Sequence, residues 1–317
     1  VAVVAATPDN IDRAAGVLRE GGLVAIPTET VYGLAACVFD PRAVARIFEV
    51  KRRPEFDPLI VHVFDEAGLA RVACEIPDGA RKLMDRFWPG PLSLVLPKRP
   101  EVPSLVTAGL DTVAVRMPSH PVARRLLERC GVPLAAPSAN PFGYLSPTRA
   151  EHVDRMLGDR VEMILDGGPT EHGLESAIVM AADPPVLLRP GAIGREAIEE
   201  IVGPLWSPAR DATPLAPGSL PQHYAPRTPI RLVEFAHVPL ADRSRAAALA
   251  FSQAPEGYAH ARVLSASGDL REAAARLFEL LHELDATGAE RIDAEGVPER
   301  GVGVAIMDRL KRAAPSF

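Results

Sequence analysis

Short apolar runs and helically spaced apolar positions take turns along the first 202 residues. Thr7-Pro8-Asp9 precedes Ile11, Ala14, Ala15 and Leu18, which share one helical face. That pattern predicts a helix capped by Thr7 with Pro8 in its first turn, ended by Gly21-Gly22. Residues 23–26 read as a buried strand. The stretch PTETVYGLAA then closes on apolar residues that suit a packed helix or turn. Asp40-Pro41 opens a helix carrying Val44, Ile47 and Phe48. Further strands are expected at 58–63, 92–97, 112–117, 161–165 and 176–180. Helices fit at 119–130, at 149–157, where Thr148 to Glu151 has the spacing of a capping box, and at 194–202. Strands and helices interleave, which predicts an α/β domain over residues 1–202, built as an open twisted sheet flanked by helices.

The pattern breaks at residues 203–229. Seven of these 27 positions are proline and none has helix or strand periodicity, so the segment reads as a stiff linker. Residues 230–317 resume the alternation: strand IRLVEF, a helix at 241–251, strand ARVLSA, and a helix with Leu270, Ala273, Leu277, Phe278, Leu281 and Leu284 on one face. A strand near 291–295 and a helix at 303–313 complete a small Rossmann-like α/β domain. It has no GxGxxG, so dinucleotide binding is not expected.

Composition narrows the function classes. The chain has 317 residues, 47% hydrophobic and 24% charged, with a formal net charge of −6. A dedicated nucleic-acid binder carries a basic excess, so any RNA contact is expected to be local or transient. Cys37, Cys74 and Cys130 form no CxxC pair, which points to a reduced, cytoplasmic protein. The apolar start VAVVAATPDN is expected to be neither a signal peptide nor a membrane span. No zinc-ligand cluster, Walker A, GxSxG or HExxH pattern is present.

Polar residues gather at the ends of the apolar strands, where open α/β sheets place ligands. A plain turn after residue 26 would use Gly, Asn or Asp. Here it carries Thr28, Glu29, Thr30 and Tyr32. Lys51 and Arg53 would also suit the end of a helix, and His62, alternating with Val61 and Val63, would also suit a core. Arg116, flanked by apolar residues, needs an anionic partner. Together, Lys51, Arg53 and Arg189 supply charge for a polyphosphate, with Ser138 and Ser146 as neutral donors. Thr30, His62 and Ser176 could line a small polar pocket, and Arg116 could clamp a carboxylate through two parallel bonds. The set suggests a nucleotide beside a small amino or carboxylic acid.

The motifs PTETVYGLA, KRRP…PLIVH, FWPGPLSLVL, TVAVRMP, APSANPFG, GLES and LRPG, in this order over about residues 9–202, closely resemble the YrdC-like threonylcarbamoyl-AMP synthases. The proline-rich PGSLPQHYAP and the small domain after it resemble the longer two-domain form. The resemblance implies the YrdC-like fold and an enzyme that joins L-threonine, bicarbonate and ATP, with Mg2+, into threonylcarbamoyl-AMP and pyrophosphate. A separate tRNA threonylcarbamoyl-transferase complex would consume the product. By position, Thr30, Tyr32, His62, Arg116, Ala136 and Ser176 would serve threonine. Lys51, Arg53, Asp57, Thr112, Ser138, Asn140, Ser146, Arg189 and Tyr224 would face ATP. Lys51, Arg53 and Arg116 would carry the chemistry, and magnesium would be held by the ATP phosphates rather than by protein side chains. The linker would close over the nucleotide through Tyr224. Asp57, where the family pattern has Asn, and Ala177, where it has Thr, depart from it. The competing readings are an RNA-binding module, supported by salt-dependent RNA affinity, and a carbamoyltransferase on a related fold, which would need additional domains.

Overall fold

The computed structural model describes residues 2–207 and 223–314. The first unit contributes β1 (Ala2–Ala5), β2 (Val24–Ile26), β3 (Gly33–Cys37), β4 (Ile60–His62), β5 (Leu92–Pro97), β6 (Thr112–Arg116), β7 (Leu134–Ala135), β8 (Met163–Asp166), β9 (Ala177–Met180) and β10 (Val186–Arg189). Among the described residues these form one mixed sheet in the order β1-β8-β2-β3-β7-β4-β6-β5-β9-β10. The second unit contributes β11 (Ile230–Leu232), β12 (Ala246–Ala250), β13 (His260–Val263) and β14 (Arg291–Ala294). They form a parallel sheet in the order β11-β14-β12-β13.

The predicted caps act as expected at two helices. Thr7 accepts from the Asn10 N–H, and Asp40 accepts from the N–H groups of Arg42 and Ala43. The capping box does not form: Arg149 occupies the N-cap of Ala150–Leu157 without a side-chain bond, and Thr148 Oγ1 instead meets His152 Nδ1 at 3.4 Å. Two further expectations are corrected. GLAAC is β3, antiparallel to β2, because Gly33 to Ala36 are buried on both faces of the sheet and period-2 burial is therefore invisible. Residues 241–251 are not one helix but a short helix, Leu240–Arg243, followed by strand β12. The alanines of β12 are fully enclosed between β13 and β14, so tertiary burial overrides alanine's helix preference. The apolar start is β1, paired with β8. The linker's first residues also pair with the first unit, Trp206 bridging Val186, while residues 208–222 of the proline-rich stretch lie outside the described residues.

The two units share a core. Val31, Leu145 and Leu174 of the first unit pack in one cluster with Tyr224, Leu277, Phe278, Leu281, Ile306 and Leu310. Gly173 lets its loop touch the helix Leu270–Asp285: a Cβ there would come within 2.3 Å of the Ala275 carbonyl oxygen, and its φ is +65°. Arg149 pairs with Glu279 at 2.6 Å, Tyr144 donates to Asp285, and His282 Nε2 lies 3.2 Å from the Ser146 carbonyl.

His152 and His282 stack across this interface with ring centres 4.1 Å apart. Burial, aided by its partner's charge, holds His152 down to about 3, and burial holds His282 down to about 4. An unfolded histidine titrates near 6.5, so between that value and the folded one the unfolded chain binds more protons. Stability must therefore fall as pH drops below about 6.5, by up to ~1.4 kcal/mol per pH unit for each histidine. We expect the melting temperature to fall from pH 6.5 to pH 5, and His282→Gln to flatten that slope. An equally steep slope in the variant would mean that these rings do not carry the acid lability.

Candidate active site

The site opens on the face shared by β4 and β6. These strands run parallel, with Ile60 beside Ala114 and His62 beside Arg116. Alternate residues share a face, so Thr112, Ala114 and Arg116 lie on the same side as Ile60 and His62. An open cleft, about 540 Å³ with the solvent space at its mouth included, is lined there by Thr28, Thr30, Arg53, His62, Arg116, Ala136, Ser138, Glu175, Ser176, Arg189, His223 and Tyr224, among others.

One corner is built from the PTET turn. Thr28 Oγ1 donates to the Val31 carbonyl at 2.6 Å and lies 2.9 Å from Thr30 Oγ1. Arg116 Nη1 donates to Thr30 Oγ1 at 2.8 Å, and Glu29 Oε2 stands 2.7 Å from Arg116 Nη2. Among the described residues Arg116 Nε has no hydrogen-bonding acceptor, and Nη2 meets only the Glu29 carboxylate, in a contact outside hydrogen-bond geometry. That edge can take a carboxylate in two parallel bonds. Burial pushes the Glu29 carboxyl up, but Arg116 and hydrogen bonds outweigh it and leave it below the usual range. Burial, then the Arg116 charge, holds His62 down to about 3, so its imidazole is neutral at physiological pH. Ser176 Oγ lies 2.8 Å from Ser93 Oγ, and Ser93 is in register with Arg116.

The remaining walls are cationic. Arg189 binds the Ser176 carbonyl through Nε and Nη2 at 3.2 and 3.0 Å, and its Nη2 also donates to Ser176 Oγ at 3.2 Å. This approach requires Gly191 in LRPG, where a Cβ would sit 2.1 Å from the Ala177 nitrogen. Arg53 donates to the carbonyls of Asp57 and Pro58 and pairs with the Asp57 carboxylate at 2.9 Å. Burial outweighs Arg53 and raises the Asp57 carboxyl above its ordinary value. His223 sits among these charges. Burial, then Arg53, Lys51, Arg189 and Arg309, hold it well below the usual histidine range. A chain of net charge −6 thus concentrates cations around one cleft.

Several expected site residues support the cleft instead of lining it. Lys51 is buried, and its ammonium donates to the carbonyls of Ser138 and Asn140, 2.5 Å from each. Burial, then Arg53, push its pKa well below the ordinary lysine value. Asn140 donates to the Pro141 and Tyr144 carbonyls and fixes the SAN turn. Ser146 Oγ donates to Glu175 Oε1 at 2.5 Å. Tyr32 points away, its hydroxyl donating to the Gly168 carbonyl at 2.7 Å. Thr112 shares the face of Arg116, but lies four residues, roughly 13 Å, further along β6. Among the described residues, no group of three His, Cys, Asp or Glu is placed to hold a metal. No helix there is long and apolar enough to cross a membrane.

Residues 16–191 match the family described as "Telomere recombination", and residues 193–315 match "Threonylcarbamoyl-AMP synthase, C-terminal domain". The threonylcarbamoyl-AMP synthase of Pyrococcus abyssi is 44% identical over 95% of this chain and 93% of its own. That of Bacillus subtilis is 43% identical over 96% of this chain and 92% of its own. The chain belongs to the threonylcarbamoyl-AMP synthase family. Its fold follows: the crystal structure of P. abyssi Sua5 complexed with L-threonine superposes with a TM-score of 0.91 at 42% identity, over 96% of this chain and 94% of that one. The crystal structure of Escherichia coli YciO, at 26% identity and TM-score 0.53, covers 58% of this chain and 90% of its own.

Against this two-domain pattern, sequence reasoning missed Glu29, Ser93, Glu175 and Arg309. Glu29 and Glu175 stand inside PTET and GLES, so the motifs flagged them without giving them a role. Arg309 carries no such signal, because only folding brings it 2.9 Å from a residue 134 positions earlier.

Proposed function

We propose that the chain is an L-threonylcarbamoyladenylate synthase that converts L-threonine, bicarbonate and ATP to threonylcarbamoyl-AMP and pyrophosphate. The observation that carries this reading is a single cleft in which the Thr30–Arg116–His62 corner adjoins the Arg53 and Arg189 walls. Threonine's carboxylate would take the Nε and Nη2 edge of Arg116, with Thr30, Ala136 and Ser176 around its side chain and amine. ATP would lie along the face toward Thr112, its phosphates meeting Arg53, Arg189 and Ser138, with Tyr224 over the nucleotide. Lys51, Asn140 and Ser146 serve it indirectly, by holding the loops that carry these groups. Magnesium enters on the ATP phosphates as part of the substrate.

The threonine amine adds to the carbon of carbon dioxide and loses a proton, giving a carbamate; from bicarbonate the same carbamate forms as the carbon–hydroxyl bond breaks and water leaves. A carbamate oxygen then attacks the α-phosphorus, and the bond to the bridging oxygen breaks, with pyrophosphate carrying away the electron pair. No covalent bond to the protein is needed, so its contribution is positioning and charge stabilisation. His62, neutral and enclosed, serves as a wall and hydrogen-bonding group, because a pKa near 3 cannot retain the ammonium proton. The unstable adenylate would pass in the cytoplasm to a tRNA threonylcarbamoyl-transferase complex, and the acidic chain itself would bind tRNA weakly or not at all.

The test is pyrophosphate release with MgATP and bicarbonate, with and without L-threonine, alongside mass spectrometry of the product. Release that needs both threonine and bicarbonate, with the threonylcarbamoyl-AMP mass, is expected. Turnover indifferent to threonine would sink the proposal.

A further inference from the structure

We propose that Arg309, on the helix Gly303–Ala313 of the second unit, is a positioning residue of the ATP site, holding Glu175 and the Tyr224 ring in place from behind the cleft. The inference rests on the reading of that cleft as an ATP site. Arg309 is not a cleft-lining residue and acts through residues that are. Its side chain is 1% exposed, and its guanidinium reaches in several directions at once. Nε donates to Glu175 Oε2 at 2.9 Å, Nη2 to the Pro190 carbonyl at 3.1 Å, and Nη1 to Asp308 Oδ2 at 2.6 Å. The guanidinium carbon stands 4.9 Å from the centre of the Tyr224 ring.

Each of these contacts leads into the cleft. Glu175 lines it and precedes Ser176, and its other oxygen is held by Ser146. Pro190 follows Arg189, which binds Ser176. Tyr224 has a φ of +66°, a left-handed conformation that residues other than glycine seldom adopt and that the surroundings must impose. Its ring packs between Arg309 and Phe278, 5.7 Å away, both from the second unit. Its hydroxyl is buried without a hydrogen-bond partner among the described residues, which leaves it for a ligand. A planar guanidinium can bond Glu175 and Pro190 in its plane while presenting its face to the ring. A lysine ammonium, a point charge on a flexible stem, cannot do all three.

The experiment compares wild type, Arg309→Lys, the paired Arg309→Met/Glu175→Gln and Tyr224→Ala, alone and combined with Arg309→Lys. The paired variant removes both buried charges together, and Asp308, which also loses Arg309, keeps Arg312 at 2.9 Å, so the fold is expected to survive. Calorimetric binding of MgATP is measured with KM for ATP and for threonine. Arg309→Lys and the paired variant should raise the dissociation constant and KM for ATP about tenfold, with threonine KM within about twofold. Arg309→Lys should add little once Tyr224 is already alanine, because one acts through the other. A wild type that binds MgATP and an Arg309→Lys variant that binds it equally well would overturn the inference alone. Equal rises in both KM values, or full additivity with Tyr224→Ala, would also overturn it and leave Arg309 as a rivet between the units. A wild type that fails to bind MgATP would overturn the ATP-site reading, and this inference with it.

Discussion

Replacing Arg116 with alanine should reduce kcat/KM for threonine by more than ~100-fold while leaving MgATP binding within about twofold. Hydrogen bonds to charged groups contribute ~1.5–3 kcal/mol each, and a carboxylate on the Nε and Nη2 edge would lose two of them. The same substitution strips Glu29 of its cation. An unpaired buried carboxylate costs ~3–5 kcal/mol, so Arg116→Ala should also melt at a lower temperature. Arg116→Met combined with Glu29→Gln separates the two effects. The double variant should recover most of the lost stability and none of the threonine-dependent turnover. Near-normal threonine affinity in either variant would refute the carboxylate assignment.

Ending the chain after residue 202 should abolish MgATP retention and make the remainder aggregate. The cut removes His223, Tyr224 and Arg309, so the cleft loses two lining residues and the guanidinium behind them. It also uncovers Val31, Leu145 and Leu174, whose cluster is otherwise completed by the second unit. Burial of a side chain of that size contributes ~1.5–3 kcal/mol, and Val31 lies beside the PTET turn itself. Glu175 would lose Arg309 as well, leaving its carboxylate with the Ser146 hydroxyl and the charge of Arg189. Dye binding to exposed apolar surface, light scattering and pyrophosphate release would be measured on the shortened chain. A monomeric, fully active fragment 1–202 would show that the second unit contributes nothing to the site.

Much of the site was written locally. PTET, SAN, GLES and LRPG each place a small polar or cationic residue beside an apolar strand, and the structure gathers Thr30, Ser138, Ser176 and Arg189 around one cleft because the sheet sets β2, β3 and β7 on one side of β4, β6 and β5 and sets β9 and β10 on the other. Caps at Thr7 and Asp40 were legible for the same reason: a side chain three or fewer residues from its partner needs no fold to meet it. Strands β3 and β12 were not legible, since burial on both faces erases the alternation that marks a strand. Nor could spacing reveal that Lys51 binds backbone carbonyls 87 and 89 residues away, that Tyr32 turns from the cleft, or that Glu29 faces Arg116. The residue types needed for a carboxylate and a polyphosphate were determined by the sequence alone. Which of them touch the cleft, and which only hold it open, was decided by long-range packing, because a buried cation takes whichever acceptors the fold brings within 3 Å.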